Sequence, residues 1–238
     1  DLFPVVKIGH TEIAFTNSAA YMAVAVVVIM LFLVGGTARR SLVPGRLQSA
    51  AELSYEFVAN TIRSTAGTEG MRFFPFVFTL FMFILVVNLI GLIPYTFTVT
   101  THIVITATLA LSVFATVLVY GFWKNGLHFF NLFVPKGIPI YILPLIVFIE
   151  VLSFISRPIS HSVRLFANML AGHITLKVFA SFITLLGGLG IFGIAGATLP
   201  LALVVALTAL ELLVAFLQAY VFAILTCIYL NDAIHPGH

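Results

Sequence analysis

From Ile138 to Leu186 the sequence runs almost without formal charge, broken only by Glu150, Arg157, Arg164 and Lys177. As one helix, about 50 residues extend ~70 Å, roughly twice the ~30 Å hydrocarbon thickness of a bilayer. Pro139, Pro144 and Pro158 can each kink or break such a helix. The run is therefore either two pieces or one helix lying at a steep tilt. No water-soluble domain can hide a segment of this kind.

Composition extends the argument to the whole chain. Of 238 residues, 61% are hydrophobic and 8% charged, and the mean hydropathy is +1.19. Soluble domains carry roughly a quarter charged residues. A membrane β-barrel would show alternating segments of ~10 residues in place of continuous apolar runs. The fold class is an all-α polytopic membrane protein. Its net charge of +3 comes from few residues, so it carries topology information and is not a nucleic-acid footprint. The single cysteine, Cys227, lies in an apolar helix, so no disulfide framework or cysteine metal cluster is expected. The chain opens on Asp1, not methionine, and an upstream segment is expected.

Residues 17–36 form a first span, followed by Arg39, Arg40 and Arg46. The positive-inside rule places that end in the cytoplasm or matrix and the N-terminus outside. Residues 48–67 mix Glu52, Glu56 and Arg63 with apolar residues at helical spacing. They suit an interfacial amphipathic helix or a short helix packed on other subunits. Spans over 73–95 and 102–122 follow, with Lys124 and Lys136 marking an inner loop. The long segments are 138–186 and 199–230. Between them, Gly187, Gly188, Gly190, Gly193 and Gly196 read as a turn, or alternatively as a small-residue helix face. The whole is a single membrane domain, 1–238.

Turning ~100° per residue brings Glu150, Arg157, His161, Arg164 and Asn168 onto one stripe, flanked by Ser153 and Ser160. His173 and Lys177 point to the opposite side. In the last helix Glu211 and Gln218 share a face with Thr208, and Asn88 and His102 are the remaining polar candidates. The acids weighed against the two arginines are Glu150 and Glu211. A charge near a helix centre costs about 2.5–3.5 kcal/mol on insertion scales, so such residues usually face protein or water and mark ion paths. Snorkelling suits Arg157, near a possible helix break, better than Arg164, which has apolar sequence on both sides. Asn168 reads equally as interhelical glue, Lys177 as a snorkelling residue, and His161 has the weakest functional case of the stripe.

With "RLFANMLAGH" and the downstream "ELLVAFLQAYVF", the chain resembles subunit a of the rotary F-type ATP synthases over essentially its whole length. The early span, the amphipathic segment, "VVNLIGLIPY" and "LQAYVFAILTCIYL" extend the likeness. The resemblance implies two long tilted helices forming a hairpin along a ring of c subunits. It also implies a stator role: protons pass through two offset half-channels to and from c-ring carboxylates and drive rotation. Arg164 matches the family's essential arginine, Asn168 its neighbouring amide and Gln218 the glutamine of the last helix. His173 and Glu211 match a channel pair in the order associated with mitochondrial and alphaproteobacterial members. Gly91 stands where some bacterial members carry an acid, so the outer path leans more on histidine. The outer path is then Glu211, His173, Asn88, Gln218, Asn168 and His102, and the inner path Glu150, Ser153 and Ser160.

The implied partners are the c-ring, peripheral-stalk b subunits, the soluble ATPase head and the lipid bilayer, with no nucleic acid, cofactor or metal. The implied location is the bacterial inner membrane, alternatively the mitochondrial inner membrane, with the C-terminus cytoplasmic. This subunit would move ions without itself catalysing a reaction. A stand-alone ion transporter or channel is the alternative. A haem subunit using His173 and His102 ranks with it. An intramembrane enzyme ranks lower, because the spans carry neither HExxH nor GxSxG.

Overall fold

The computed structural model describes residues 3–8, 11–38, 45–93, 96, 98–134 and 141–234. Arg39, Arg40, Lys136 and Pro139 lie outside the described residues. The chain begins with an antiparallel hairpin not foreseen from the sequence, β1 (Phe3–Ile8) and β2 (Thr11–Phe15), in register from Phe3 with Phe15 to Ile8 with Thr11. Among the described residues, the elements that follow are all helical. Five of the described helical stretches are long and apolar enough to cross a bilayer.

Helix α1 (Asn17–Thr37) starts where the Thr16 hydroxyl accepts a hydrogen bond from the Ala19 N–H. Only Ala25 and Gly36 along it are buried, so most of its surface suits lipid. Helix α2 (Arg46–Gly70) buries Ala51, Val58, Ala59, Ile62 and Ala66 and exposes Glu52, Glu56 and Arg63. That is the spacing of an amphipathic helix. Its apolar face packs on this chain's own last helix, with the Phe57 ring 5.2 Å from Tyr220 and 5.7 Å from Phe216.

Helix α3 (Phe74–Gly91) is the most enclosed, burying Val77, Phe81, Ile84, Val87 and Asn88. A 3-10 turn at Val99–Thr101 leads into α4 (Ile103–Asn125), which ends at Gly126; another 3-10 stretch, Gly126–Phe133, follows. Helix α5 (Leu143–Gly187) is continuous through Pro158, so the long run is one piece, ~67 Å long. Pro144 sits in its first turn, where its missing N–H costs nothing. The chain reverses through Gly190, whose φ of 80° suits a residue without Cβ. It then enters α6 (Ile191–Ile234). The glycine-rich stretch is thus split: Gly188 and Gly190 make the turn, while Gly193 and Gly196 are already helical.

Polar contacts sort themselves by depth. At one end Lys124 pairs with Glu69 at 2.5 Å, Asn125 Nδ2 donates to the Ala233 carbonyl at 2.7 Å, and Arg157 meets Asp232. Toward the other end lie the Val99–Thr101 turn and the contacts it makes with α3 and α5. Between these levels the packed core is aromatic and aliphatic, centred on Phe81, Ile84, Val113, Leu165, Ala219 and Phe222.

Candidate functional site

The polar stripe of α5 faces α6. Asn168 Nδ2 donates to Gln218 Oε1 at 2.9 Å, and Gln218 is buried. The His161 ring packs edge-on against Phe222 with centroids 3.8 Å apart. Arg157 Nη1 donates to Asp232 Oδ2 at 2.7 Å. These three residues lie along the helical seam at spacings of four and seven, as helix geometry requires.

Arg164 belongs to the same row but differs in surroundings. It is exposed, and among the described residues no acid stands within ion-pair distance and no hydrogen bond reaches its guanidinium. On its open side Ser153, Ser160, Ala167 and Ala171 are exposed as well; all lie within about 60° of Arg164 around the helix. The guanidinium therefore sits at the border between the α5–α6 seam and a smooth, open, small-residue strip.

Arg157 answers a different description from the one its sequence suggested. Besides Asp232, its Nη2 lies 3.9 Å from Glu150 Oε1, and its Cζ stands 5.0 Å from the Tyr229 ring and 5.3 Å from Phe154. It does not snorkel: it is held between two acids and two rings. Weighing only Glu150 and Glu211 against the arginines overlooked Asp232, which follows the last apolar residues and reads as a helix end. Glu150 is a partner of this arginine, while Ser153 and Ser160 share the open strip with Arg164.

A second polar group gathers around the C-terminal part of α3. Asn88, fully buried on α3, donates through Nδ2 to the Ala215 carbonyl of α6 at 3.5 Å and accepts from the Thr100 hydroxyl at 3.0 Å. Two residues before Thr100, the Thr98 hydroxyl lies 3.0 Å from His173 Nε2. One residue before His173, Gly172 gives room to the Glu211 carboxylate, whose Oε1 would collide with a Cβ at position 172. Glu211 Oε2 is buried without a hydrogen-bond partner among the described residues. Thus Asn88, His173 and Glu211, far apart in sequence, are linked through Thr98, Thr100 and Gly172. His102 is exposed at the start of α4, and Lys177 is exposed one turn beyond His173.

Sequence reading missed Thr98 and Thr100, and took in Gly172 only as part of "RLFANMLAGH", without its contact to Glu211. The hydroxyl-rich "TFTVTT" between the spans 73–95 and 102–122 supplies partners to two other elements. What the arrangement offers is a partly buried group of proton donors and acceptors on one side of a cation unpaired among the described residues, and an ion-pair cluster on the other.

The family model for the ATP synthase A chain matches residues 19–231. The "ATP synthase subunit a" of Rhodopseudomonas palustris strain BisA53 is 73% identical over 237 residues, covering 100% of this chain and 95% of that protein. The subunit a proteins of strain BisB18 and of Nitrobacter winogradskyi are each 72% identical with the same coverage. The apolar helices and these relatives make it a bacterial inner-membrane protein working in a complex with other ATP synthase subunits. Family membership also displaces the stand-alone transporter as an account of the polar stripe. The chain belongs to the ATP synthase A chain family, that of subunit a, the stator proton-channel subunit of the enzyme.

Proposed function

We propose that the chain works as one membrane domain, 1–238, in which Arg164 separates two offset half-channels that serve carboxylates on a ring of c subunits. The observation that carries this reading is the exposed Arg164 guanidinium, unpaired among described residues and bordered by small residues. A guanidinium stays protonated at any working pH. Leaving it unpaired in a membrane is costly, so a partner that arrives and departs is the economical explanation. Small exposed residues let another helix approach closely, and they surround Arg164 on the side open to such a partner.

Protons reach the ring from the outer side through Asn88, His173 and Glu211, with Thr98 and Thr100 as connecting hydroxyls. Neutral imidazole, hydroxyl and carboxyl groups each both donate and accept hydrogen bonds, which a proton path needs. His102 stands near the outer mouth. The Asn168–Gln218 amide pair lies one helical turn from Arg164 and fixes the seam beside the rotor site. Glu150, Ser153 and Ser160 serve the inner side. Arg164 attracts each deprotonated rotor carboxylate and repels a proton crossing directly between the channels. The driving force is about 2.3 kcal/mol per proton per 100 mV, and a leak past Arg164 would dissipate it. Peripheral-stalk b subunits and the soluble ATPase head complete the assembly, with the N-terminus outside and the C-terminus in the cytoplasm.

Arg164→Ala tests this in inverted membrane vesicles. ATP synthesis and ATP-driven proton pumping should fall by at least two orders of magnitude, while the soluble head keeps hydrolysing ATP. Coupled synthesis at the normal rate in the variant would overturn the reading.

A further inference from the structure

We propose that His161 is a proton-relay residue of the inner half-channel, carrying protons between the level of Arg164 and the Arg157–Asp232 cluster. The proposal rests on the half-channel reading above. His161 is 4% exposed, and neither ring nitrogen has a hydrogen-bond partner among the described residues. A neutral imidazole carries one donor and one acceptor. Leaving both unsatisfied in a buried seam is destabilising. A packing role alone does not call for that, since Phe or Leu would fill the position against Phe222 with no polar atoms. Two unpaired nitrogens suit a residue that exchanges hydrogen bonds with passing water.

Its position matches the task. His161 precedes Arg164 by three residues, about 4.5 Å of helix rise, and follows Arg157 by four, about 6 Å. The Tyr229 ring lies 6.1 Å from it on the inward side. The ionisable groups around it are Arg157 and Arg164 on α5 and Tyr229 and Asp232 on α6. On the α4 side the neighbouring contact is the uncharged Thr106–Ser162 hydroxyl pair, 3.2 Å. Of the two arginines, Arg157 is already offset by Asp232 and Glu150. The open field at His161 is that of Arg164, and it changes when a rotor carboxylate comes alongside.

That difference sets the order of events. The rotor carboxyl O–H breaks, its proton passes through water to one ring nitrogen of His161, and the carboxylate left behind pairs with Arg164. The imidazolium then releases a proton from its other nitrogen to water beside Arg157 and Asp232, returning to neutral. With no rotor carboxylate at Arg164, the guanidinium disfavours a second positive charge at His161, and the relay stays closed.

The test uses the whole ATP synthase in inverted vesicles, with His161→Phe, His161→Gln and Arg164→Ala made in parallel. His161→Phe should lower ATP-driven pumping, and proton conduction through the membrane sector stripped of its head, by about five- to tenfold. Complex content and ATP hydrolysis by the released head should stay unchanged. His161→Gln keeps hydrogen-bonding capacity but cannot carry the proton, so it should be nearly as impaired and should flatten the pH dependence of conduction. Wild-type conduction and an unaltered pH profile in both His161 variants, with Arg164→Ala uncoupled, would overturn the relay alone. Coupled pumping in Arg164→Ala would instead overturn the half-channel reading. Should His161→Phe fail to assemble, His161→Cys in a Cys227→Ala background decides. Silver ion applied from the inner face should block conduction, and insensitivity from that face would overturn the proposal.

Discussion

At the scale of single residues, Gly172 decides how near Glu211 can stand to α5. A Cβ at that position would run into the Glu211 carboxylate, and His173 is its chain neighbour. Gly172→Ala should therefore push the carboxylate away from the His173–Thr98 contact and reduce proton-driven ATP synthesis several-fold, with assembly intact. Shortening the acid in the same background, Gly172→Ala with Glu211→Asp, should recover part of the loss by withdrawing the carboxylate one methylene. Synthesis rates in vesicles check both, and an unimpaired Gly172→Ala variant would sink the idea. The stretch "RLFANMLAGH" includes this glycine, but its role is not legible there, because it depends on a residue 39 positions away meeting it (211 − 172). Arg164 was easier to read. A cation embedded in apolar sequence is costly wherever the neighbours fall, so its importance does not wait on tertiary structure.

At the scale of elements, the row from Glu150 to Asn168 was legible because an α-helix repeats every 3.6 residues and Pro158 does not interrupt it. Which helix the row faces was not legible, since periodicity assigns a face and not a neighbour. The Arg157–Asp232 contact joins the early part of α5 to the last turn of α6. Both side chains are mostly buried, at 20% and 27% exposure. Removing one partner leaves the other short of compensation in a poorly hydrated place. Arg157→Gln and Asp232→Asn should each lower the thermal stability of the detergent-solubilised complex, and the double variant should lose less than the sum. A double-mutant cycle should return a coupling of about 1–2 kcal/mol. Additivity within about 0.3–0.5 kcal/mol would mean that the pair does not hold the hairpin together.

At the scale of the whole molecule, length governs arrangement. Helices α3 and α4, of 18 and 23 residues, suit an ordinary crossing. Helix α5 at ~67 Å does not fit upright in ~30 Å of hydrocarbon or the ~40–45 Å that includes the headgroups, and must lean by roughly 50–60°. Such a lean would put Arg164, near the middle of α5, at mid-depth, with the two ends of the hairpin toward opposite surfaces. The internal contacts fix which ends go together. Trp123, beside the Lys124–Glu69 pair, belongs with the Asp232 end of α6, and Leu189 belongs with the opposite, hairpin-turn end. Both side chains are open, 85% and 70% exposed, so each can report its side through an introduced thiol. In a Cys227→Ala background, Trp123→Cys should react with a membrane-impermeant maleimide only from the cytoplasmic face, and Leu189→Cys only from the outer face. Labelling of both from the same face would break the topology on which the two half-channels depend. Reversed labelling would keep the fold and exchange the roles of the His173–Glu211 and Arg157–Asp232 ends, making the latter the side from which protons arrive.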